Sequence, residues 1–188
     1  METYRCFVAI NLPEEAKHEL AGIRAGFKSW PANVKWVEKQ NFHLTLKFLG
    51  DVTPLQIENL KRALERISSL PKTFEIGLAG LGAFPAPRNP KVIWTGVHDP
   101  QKGLHNLWVE VETECAKQGF PRETRPFSPH LTLGRVRDVK PAPGLGELLP
   151  NLKPDRLIVP VTTFELMRSK LSGYGPAYSC LASFSLQK

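Results

Sequence analysis

The sequence has few cysteines and no arrangement of them that indicates a disulfide framework or a zinc site. Its three cysteines, Cys6, Cys115 and Cys180, are widely separated, and none belongs to a C-x-x-C pair. An odd number without regular spacing argues against a secreted disulfide scaffold and against a zinc knuckle. We therefore expect apolar packing to hold the core, which a chain of 188 residues can provide without disulfides or metals.

A long hydrophobic run is also missing. No stretch approaches the roughly 20 apolar residues that span a bilayer, and the apolar segment at 5–12 is too short for the hydrophobic region of a secretory signal. Hydrophobic residues make up 41% of the chain and charged residues 23%, as in ordinary soluble proteins. We expect a cytoplasmic monomer that has no membrane partner.

Acidic residues are outnumbered, since 25 lysines and arginines face 18 aspartates and glutamates. The formal net charge of +7 favours an anionic partner such as a nucleic acid. Charge alone does not identify that partner, because many basic proteins bind no nucleic acid.

The most informative feature is a short segment that occurs twice. N-F-H-L-T-L at 41–46 is matched by S-P-H-L-T-L at 128–133, and the histidine and threonine of each copy are separated by the same 87 residues. Residues two apart in a strand face the same side. Each copy therefore presents an imidazole beside a hydroxyl. These four side chains are those of His43, Thr45, His130 and Thr132.

A single H-x-T segment would be explained by the alternation of a half-buried strand, but two copies indicate one shared site. Histidine can act as an acid or a base near neutral pH, and hydroxyl groups can stabilise charge that develops on phosphate oxygens. The sequence contains neither an H-E-x-x-H metal motif nor a recognisable nucleophile elbow. The pattern predicts acid/base cleavage of a phosphodiester without a metal or a cofactor.

Two cations close to the motifs are candidates for phosphate or substrate contacts. Lys47 is four residues after His43, so in a regular strand it faces the same side and is predicted to point into the groove. An exposed strand lysine would show the same pattern. Arg135 lies on the opposite side from His130 by strict alternation. It reaches the groove only if the strand bulges near Gly134, where glycine makes a bulge plausible.

Four aromatic residues are candidates for stacking on a base. We favour Trp36, just before the first motif, and Phe84, within a proline-rich segment. Trp94 and Tyr178 are better explained by core packing.

The hydrophobic pattern predicts an α+β fold of mostly antiparallel sheets with helices on the outside. Helices are expected to begin at Pro13, after a Thr53 cap and after an Asp99 cap. A proline-rich loop is expected at 83–90, and the loop at 141–154 has room for a short helix. Strands are predicted at 5–12, 34–37, 42–49, 74–81, 92–97, 130–136, 157–167 and 178–186. The duplicated motif predicts two pseudo-symmetric lobes within one domain at 1–188, around a central cleft.

The chain resembles the two-histidine (2H) phosphoesterase superfamily, and within it the RNA 2′,3′-cyclic phosphodiesterases, or LigT-like 2′-5′ RNA ligases. Only Gly134 departs noticeably, since relatives often have alanine there. The stretches that carry the resemblance are R-C-F-V-A-I-N-L-P at 5–13, N-F-H-L-T-L-K-F-L-G at 41–50, G-L-G-A-F-P at 80–85, K-V-I-W-T-G-V at 91–97, F-S-P-H-L-T-L-G-R-V-R at 127–137 and F-E-L-M-R-S-K-L-S-G-Y-G-P-A-Y at 164–178.

The resemblance implies hydrolysis of RNA or nucleoside 2′,3′-cyclic phosphate ends to a 2′-phosphate, with 2′-5′ ligation as a side activity. It implies that His43 is the proton donor and His130 the proton acceptor. Thr45, Thr132 and Arg135 would hold the phosphate. The alternative is a non-catalytic module that binds an RNA end or a nucleotide.

Overall fold

A computed structural model describes residues 2–28, 30, 33–69, 71–137, 144–151, 157–172 and 175–188. Its strands are β1 (Tyr4–Asn11), β2 (Val34–Trp36), β3 (His43–Val52), β4 (Phe74–Ala86), β5 (Asn89–His98), β6 (His130–Val136), β7 (Leu157–Val161), β8 (Thr163–Ser172) and β9 (Gly175–Ser185). Its α-helices are α1 (Glu14–Gly22), α2 (Pro54–Ser68), α3 (Gly103–Lys117) and α4 (Leu145–Asn151), and short 3-10 helices cover Ile23–Phe27 and Lys39–Asn41.

The described strands form two antiparallel sheets, one in each lobe. The first sheet has the order β3-β1-β8-β9, and the second has the order β2-β6-β5-β4-β7. Each sheet contains one of the two H-x-T strands, beside a long partner strand (β1 or β5). The predicted α+β class and its two antiparallel sheets are confirmed.

Apolar stripes on the helices cover one face of these sheets. The stripe of α2 includes Ile57, Leu60 and Leu64, all buried, and α3 packs against both β3 and β4. Apolar residues at helical spacing bury best when the helix lies along a sheet. The core therefore extends from one lobe to the other beneath the strands that carry the motifs.

Local signals at the helix ends account for where the helices begin. Thr53 accepts a hydrogen bond from the backbone of Gln56, and the Gln56 side chain accepts one from Thr53 N–H, which forms a capping box before Pro54. The predicted cap of α3 is displaced, because the helix begins at Gly103, yet Asp99 still accepts from the backbone of His105 at 2.9 Å.

Two predictions about the strands were wrong. The proline-rich segment is not a loop, because β4 and β5 continue through it to a tight turn between Ala86 and Asn89. Prolines are tolerated there because β7 pairs with β4 only as far as Leu78, so the far end of β4 lacks a second hydrogen-bonded neighbour among the described strands.

The predicted strand at 157–167 is in fact two strands. Thr162 separates β7, which belongs to the second sheet, from β8, which belongs to the first. The chain thus crosses between lobes at a single residue, which continuous β-propensity does not indicate. Much of the predicted loop at 141–154 lies outside the described residues, and α4 occupies the part within them.

No helix in the described ranges is both long enough and apolar enough to span a membrane.

Candidate active site

The two motif strands bring their polar side chains to one cavity of about 820 Å³. β3 is the outer strand of the first sheet, and β6 lies near it on the side of the second sheet. Both H-x-T pairs line this cavity, namely His43, Thr45, His130 and Thr132. Equivalent residues of the two motifs, 87 positions apart in the chain, therefore share one site.

A β-bulge in β6 turns Arg135 toward this cavity. Thr132 pairs with Trp94 on β5, whereas Gly134 pairs with Ile93, so Leu133 is an additional residue on β6. One extra residue reverses the alternation of the side chains that follow. Arg135 therefore shares the face of Thr132 and lines the cavity, as the glycine suggested.

A second bulge occupies the equivalent position in β3. Thr45 pairs with Ala9 on β1, and Lys47 pairs with Val8, so Leu46 is the additional residue. The bulged residues Leu46 and Leu133 are separated by the same 87 positions as the two motifs. In both motif strands, the alternation of side chains between the two faces of the sheet thus reverses immediately after the threonine.

The bulge at Leu46 removes the basis of the parity argument for Lys47, although Lys47 still borders the cavity. Lys47 is only 5% exposed, and its ammonium group donates to both carboxylate oxygens of Glu112, at 2.8 and 2.9 Å. It also donates to the carbonyl of Pro121 at 2.9 Å. An ammonium has three N–H donors, so these partners use its full capacity and leave none for a substrate phosphate.

Phe48 occupies the place on β3 that Arg135 occupies on β6. It lies 87 residues before Arg135, lines the same cavity and is 74% exposed. Sequence reasoning misses it because strict alternation from His43 and Thr45 puts Phe48 on the core face. Alignment of the two copies with a bulge in both would have identified it.

The histidines are held in one orientation by the same backbone contact. His43 Nδ1 lies 2.8 Å from the carbonyl oxygen of Asn41, and His130 Nδ1 lies 2.8 Å from that of Ser128. A carbonyl only accepts, so Nδ1 carries the proton and donates in both rings. Nε2 is thereby left as the ring nitrogen that can exchange a proton with a ligand.

Aromatic rings flank each imidazole. His43 has Phe7 at 4.9 Å and Tyr178 edge-on at 5.1 Å between ring centroids. Burial lowers the pKa of His43, and the hydrogen bond to Asn41 opposes this effect only in part. The neutral imidazole is therefore favoured at position 43 in the free protein.

The second histidine has a comparable pair of neighbours. Phe84 meets the His130 ring edge-on at 5.0 Å, and Trp94 lies at 6.3 Å. Phe84 lines the cavity, whereas Trp94 does not belong to the described lining. Phe84, near the turn of the proline-rich hairpin, thus forms one side of the site.

Trp36, which was expected to contact the substrate, is not among the residues that line the described cavity. It packs on Phe27 at 5.0 Å between ring centroids and pairs with Gly134 across β2 and β6. A Cβ atom at Gly134 would lie 2.9 Å from the Trp36 ring and 2.7 Å from a methyl group of Val34. Glycine at this position lets the tryptophan cover the bulge.

The segment between α3 and β6 forms another wall of the cavity. It contributes Arg122, Glu123, Arg125 and Phe127 to the lining. Arg125 donates to both carboxylate oxygens of Glu123, at 3.1 and 2.9 Å, and lowers the pKa of that carboxyl to about 2. This wall therefore has fixed charges of both signs next to the imidazoles.

Within the described ranges, no three His, Cys, Asp or Glu side chains converge as metal ligands would. The arrangement provides instead two imidazoles, two hydroxyls and a guanidinium around one space, a set that suits a phosphodiester.

Comparison with known proteins agrees with this arrangement. The model of the LigT-like phosphoesterase family matches residues 10–94 and 96–178. A Methanothermobacter thermautotrophicus protein named RNA 2′,3′-cyclic phosphodiesterase is 35% identical over 183 residues, which cover 97% of this chain and 98% of that protein. An Aquifex aeolicus protein of the same name is 37% identical over 154 residues, or 81% of each chain.

Solved structures show the same fold. A Thermus thermophilus protein superposes with a TM-score of 0.83 at 28% identity, covering 97% of this chain and 98% of its own. LigT from E. coli, crystallised with 3′-AMP, superposes with a TM-score of 0.81 at 29% identity over the full length of both chains.

Proposed function

Because the chain belongs to the LigT-like phosphoesterase family, we propose that it hydrolyses RNA 2′,3′-cyclic phosphate ends to 2′-phosphates by paired-histidine catalysis. The enzyme class is that of its curated relatives, the RNA 2′,3′-cyclic phosphodiesterases. The observation that carries the histidine mechanism is the matched presentation of two Nε2 atoms to one cavity by Nδ1 bonds of 2.8 Å.

The reaction requires one proton to be removed and another to be supplied. Water attacks phosphorus, the P–O3′ bond breaks, and the 3′-oxygen leaves as a hydroxyl once it is protonated. We assign removal of the water proton to His130 and protonation of the 3′-oxygen to His43. Each such transfer is typically worth about 10²–10⁴ in rate.

The lowered pKa of His43 in the free protein is compatible with a donor role only when substrate is bound. Burial favours its neutral form, whereas an anionic phosphodiester a few ångströms away favours the imidazolium. Substrate binding would therefore charge His43 at the time when a proton is needed. If His43 instead stays neutral in the complex, the two roles are exchanged.

The remaining polar groups suit the phosphate. Thr45 and Thr132, which line the cavity, would donate to its non-bridging oxygens, and Arg135 would provide a planar, permanently charged donor. In the same geometry, an RNA 5′-hydroxyl in place of water would give 2′-5′ ligation. We regard ligation as a side activity, because water is far more abundant.

Product analysis tests this function. A nucleoside 2′,3′-cyclic monophosphate and a short RNA with a cyclic end are each incubated with the protein, with and without EDTA, and the products are resolved by ³¹P NMR. We expect the 2′-phosphate from both substrates in either condition, with a bell-shaped dependence of rate on pH. Binding without turnover would replace hydrolysis with a role as an RNA-end binding module, and a 3′-phosphate product would reverse the proposed bond cleavage.

A further inference from the structure

An ion pair inside the protein links the first motif strand to the chain that leads into the second. Lys47 follows His43 on β3, and Glu112 lies on α3; their side chains are 4% and 5% exposed. The ammonium group is 2.8 and 2.9 Å from the two carboxylate oxygens. Because Glu112 is 65 residues away in sequence, the pair joins two separate parts of the fold.

The same two side chains hold the backbone of the cavity wall. Lys47 donates to the carbonyl of Pro121 at 2.9 Å, and Glu112 accepts from the N–H of Glu123 at 3.2 Å. This wall, residues 121–128, ends at Ser128, whose carbonyl accepts from His130 Nδ1. Hydrogen bonds therefore fix the start of this wall to β3, and five residues further along the chain lies Ser128, the group that orients the second imidazole.

Stability alone does not explain a buried ion pair. The desolvation of two charges costs about as much as their attraction returns, and well-packed apolar residues are often equally stable. The 87-residue counterpart of Lys47 is Gly134, whose bulge is filled by Val34 and Trp36. Apolar filling of such a bulge thus occurs within this same protein, which makes the charged pair a feature to explain.

We propose that Lys47 and Glu112 are positioning residues: they fix the 121–128 wall against β3 and thereby hold His130 in register with His43. Both border the cavity, but their side chains are only 4% and 5% exposed and Lys47 has no donor left, so we place them behind the groups that bind the substrate. This inference rests on the proposed function for its kinetic consequence. A displacement of about 1 Å at a catalytic group can cost about 10²-fold in rate.

A double-mutant comparison tests the proposal. Lys47→Met and Glu112→Leu alone each leave a buried charge unpaired and are expected to lower Tm by about 10 °C. The combined variant removes both charges. Its Tm is expected to recover, because Pro121 and Glu123 lie on the surface, where water can replace the lost partners. Its kcat for the cyclic phosphate is expected to stay at least about tenfold below wild type, with KM little changed.

The orientation of His130 gives a readout that does not depend on catalysis. In wild type, ¹H–¹⁵N spectra of the imidazoles are expected to show the Nδ1–H form for both motif histidines. In the combined variant, His130 is expected to average between tautomers while His43 retains its form. The matched control is Lys61→Met with Glu58→Leu, which removes an exposed pair on α2 and is expected to change none of these quantities.

Three results would overturn the proposal. Wild-type kcat and His130 tautomer in the combined variant would make the pair dispensable for positioning. A raised KM at unchanged kcat in the combined variant would indicate that Lys47 contacts the substrate. A Tm of the combined variant as low as that of the single variants would indicate that the pair only stabilises the fold. If wild type fails to hydrolyse the cyclic phosphate, the proposed function is lost, and the tautomer comparison alone decides on the positioning role.

Discussion

At the scale of single residues, the site depends on which nitrogen of each histidine carries a proton. The carbonyls of Asn41 and Ser128 occupy Nδ1 of His43 and His130, so Nε2 is the atom available for proton transfer in both rings. The H-x-T pattern predicted the imidazoles and their side of the strand. It did not predict the carbonyl contacts, which depend on how the chain turns before each strand.

The buried position of His43 makes a prediction about pH. Its pKa is lowered by burial, so the unfolded chain, with an ordinary pKa of about 6.5, binds this proton more readily than the folded protein. Stability is therefore expected to fall as pH is lowered from about 7 through 6.5 toward the folded-state pKa. In His43→Gln this part of the pH dependence should disappear.

Urea unfolding at a series of pH values measures this effect. His18→Gln is the matched control, because His18 is exposed on α1 and away from the cavity. An identical pH dependence in wild type and His43→Gln would contradict the assigned environment. NMR titration of the free protein with inorganic phosphate should also raise the pKa of His43, since an anion favours the imidazolium.

Arg135 gives a second prediction at this scale. Replacing it with alanine removes charged hydrogen bonds to the phosphate, worth about 1.5–3 kcal/mol each, so we expect KM to rise by about tenfold or more, and Arg135→Lys to restore part of the loss. Arg137→Ala on the same segment is the control, because Arg137 is absent from the cavity lining described. Steady-state kinetics that show equal effects at 135 and 137 would contradict the role given to Arg135.

At the scale of strands and helices, the two bulges decide which side chains reach the cavity. The bulge in β6 was predictable because Gly134 marks it, but the bulge in β3 is centred on Leu46, which gives no such signal. Alternation alone therefore gives Lys47 the facing of His43 and puts Phe48 outside the cavity that it in fact lines. The partner of Lys47 was equally unpredictable, because nothing in a single sequence connects positions 47 and 112.

On the second sheet, Gly82 leaves room for the Trp94 ring, which lies beside His130. A Cβ atom at Gly82 would lie only 2.2 Å from the Trp94 ring, and Trp94 lies 6.3 Å from His130. Gly82→Ala is expected to lower the free energy of unfolding by about 1–3 kcal/mol. Because Trp94 must move, kcat is expected to fall as well.

Gly103→Ala is the matched control for this substitution. Its Cβ atom would lie 2.4 Å from the ring of Phe74, so a similar loss of stability is expected, but the position is outside the cavity lining described. Thermal unfolding and kcat per folded molecule are measured for both variants. If the two variants lose kcat equally, or Gly82→Ala loses none, Trp94 has no part in the environment of His130.

At the scale of the whole molecule, a duplicated segment supplies one half of the site from each lobe. The copies share the imidazole, the hydroxyl, the bulge and the Nδ1 contact, and they differ afterwards, with Phe48 in one and Arg135 in the other. In the proposed mechanism, the acid and the base come from different lobes. The function therefore requires that the lobes keep a fixed distance, which a sequence repeat suggests but does not measure.

The most direct test of the account is the turnover number of His43→Ala, His130→Ala and their combination on a cyclic-ended RNA, with His18→Ala as the control. In each single variant, kcat is expected to fall by about 10²–10⁴-fold. The kcat of the combined variant is expected to be only slightly below that of the less active single variant, because the two residues act as a unit. The control is expected to keep wild-type activity. Retention of full turnover by a folded His43→Ala or His130→Ala protein would contradict the paired-histidine mechanism.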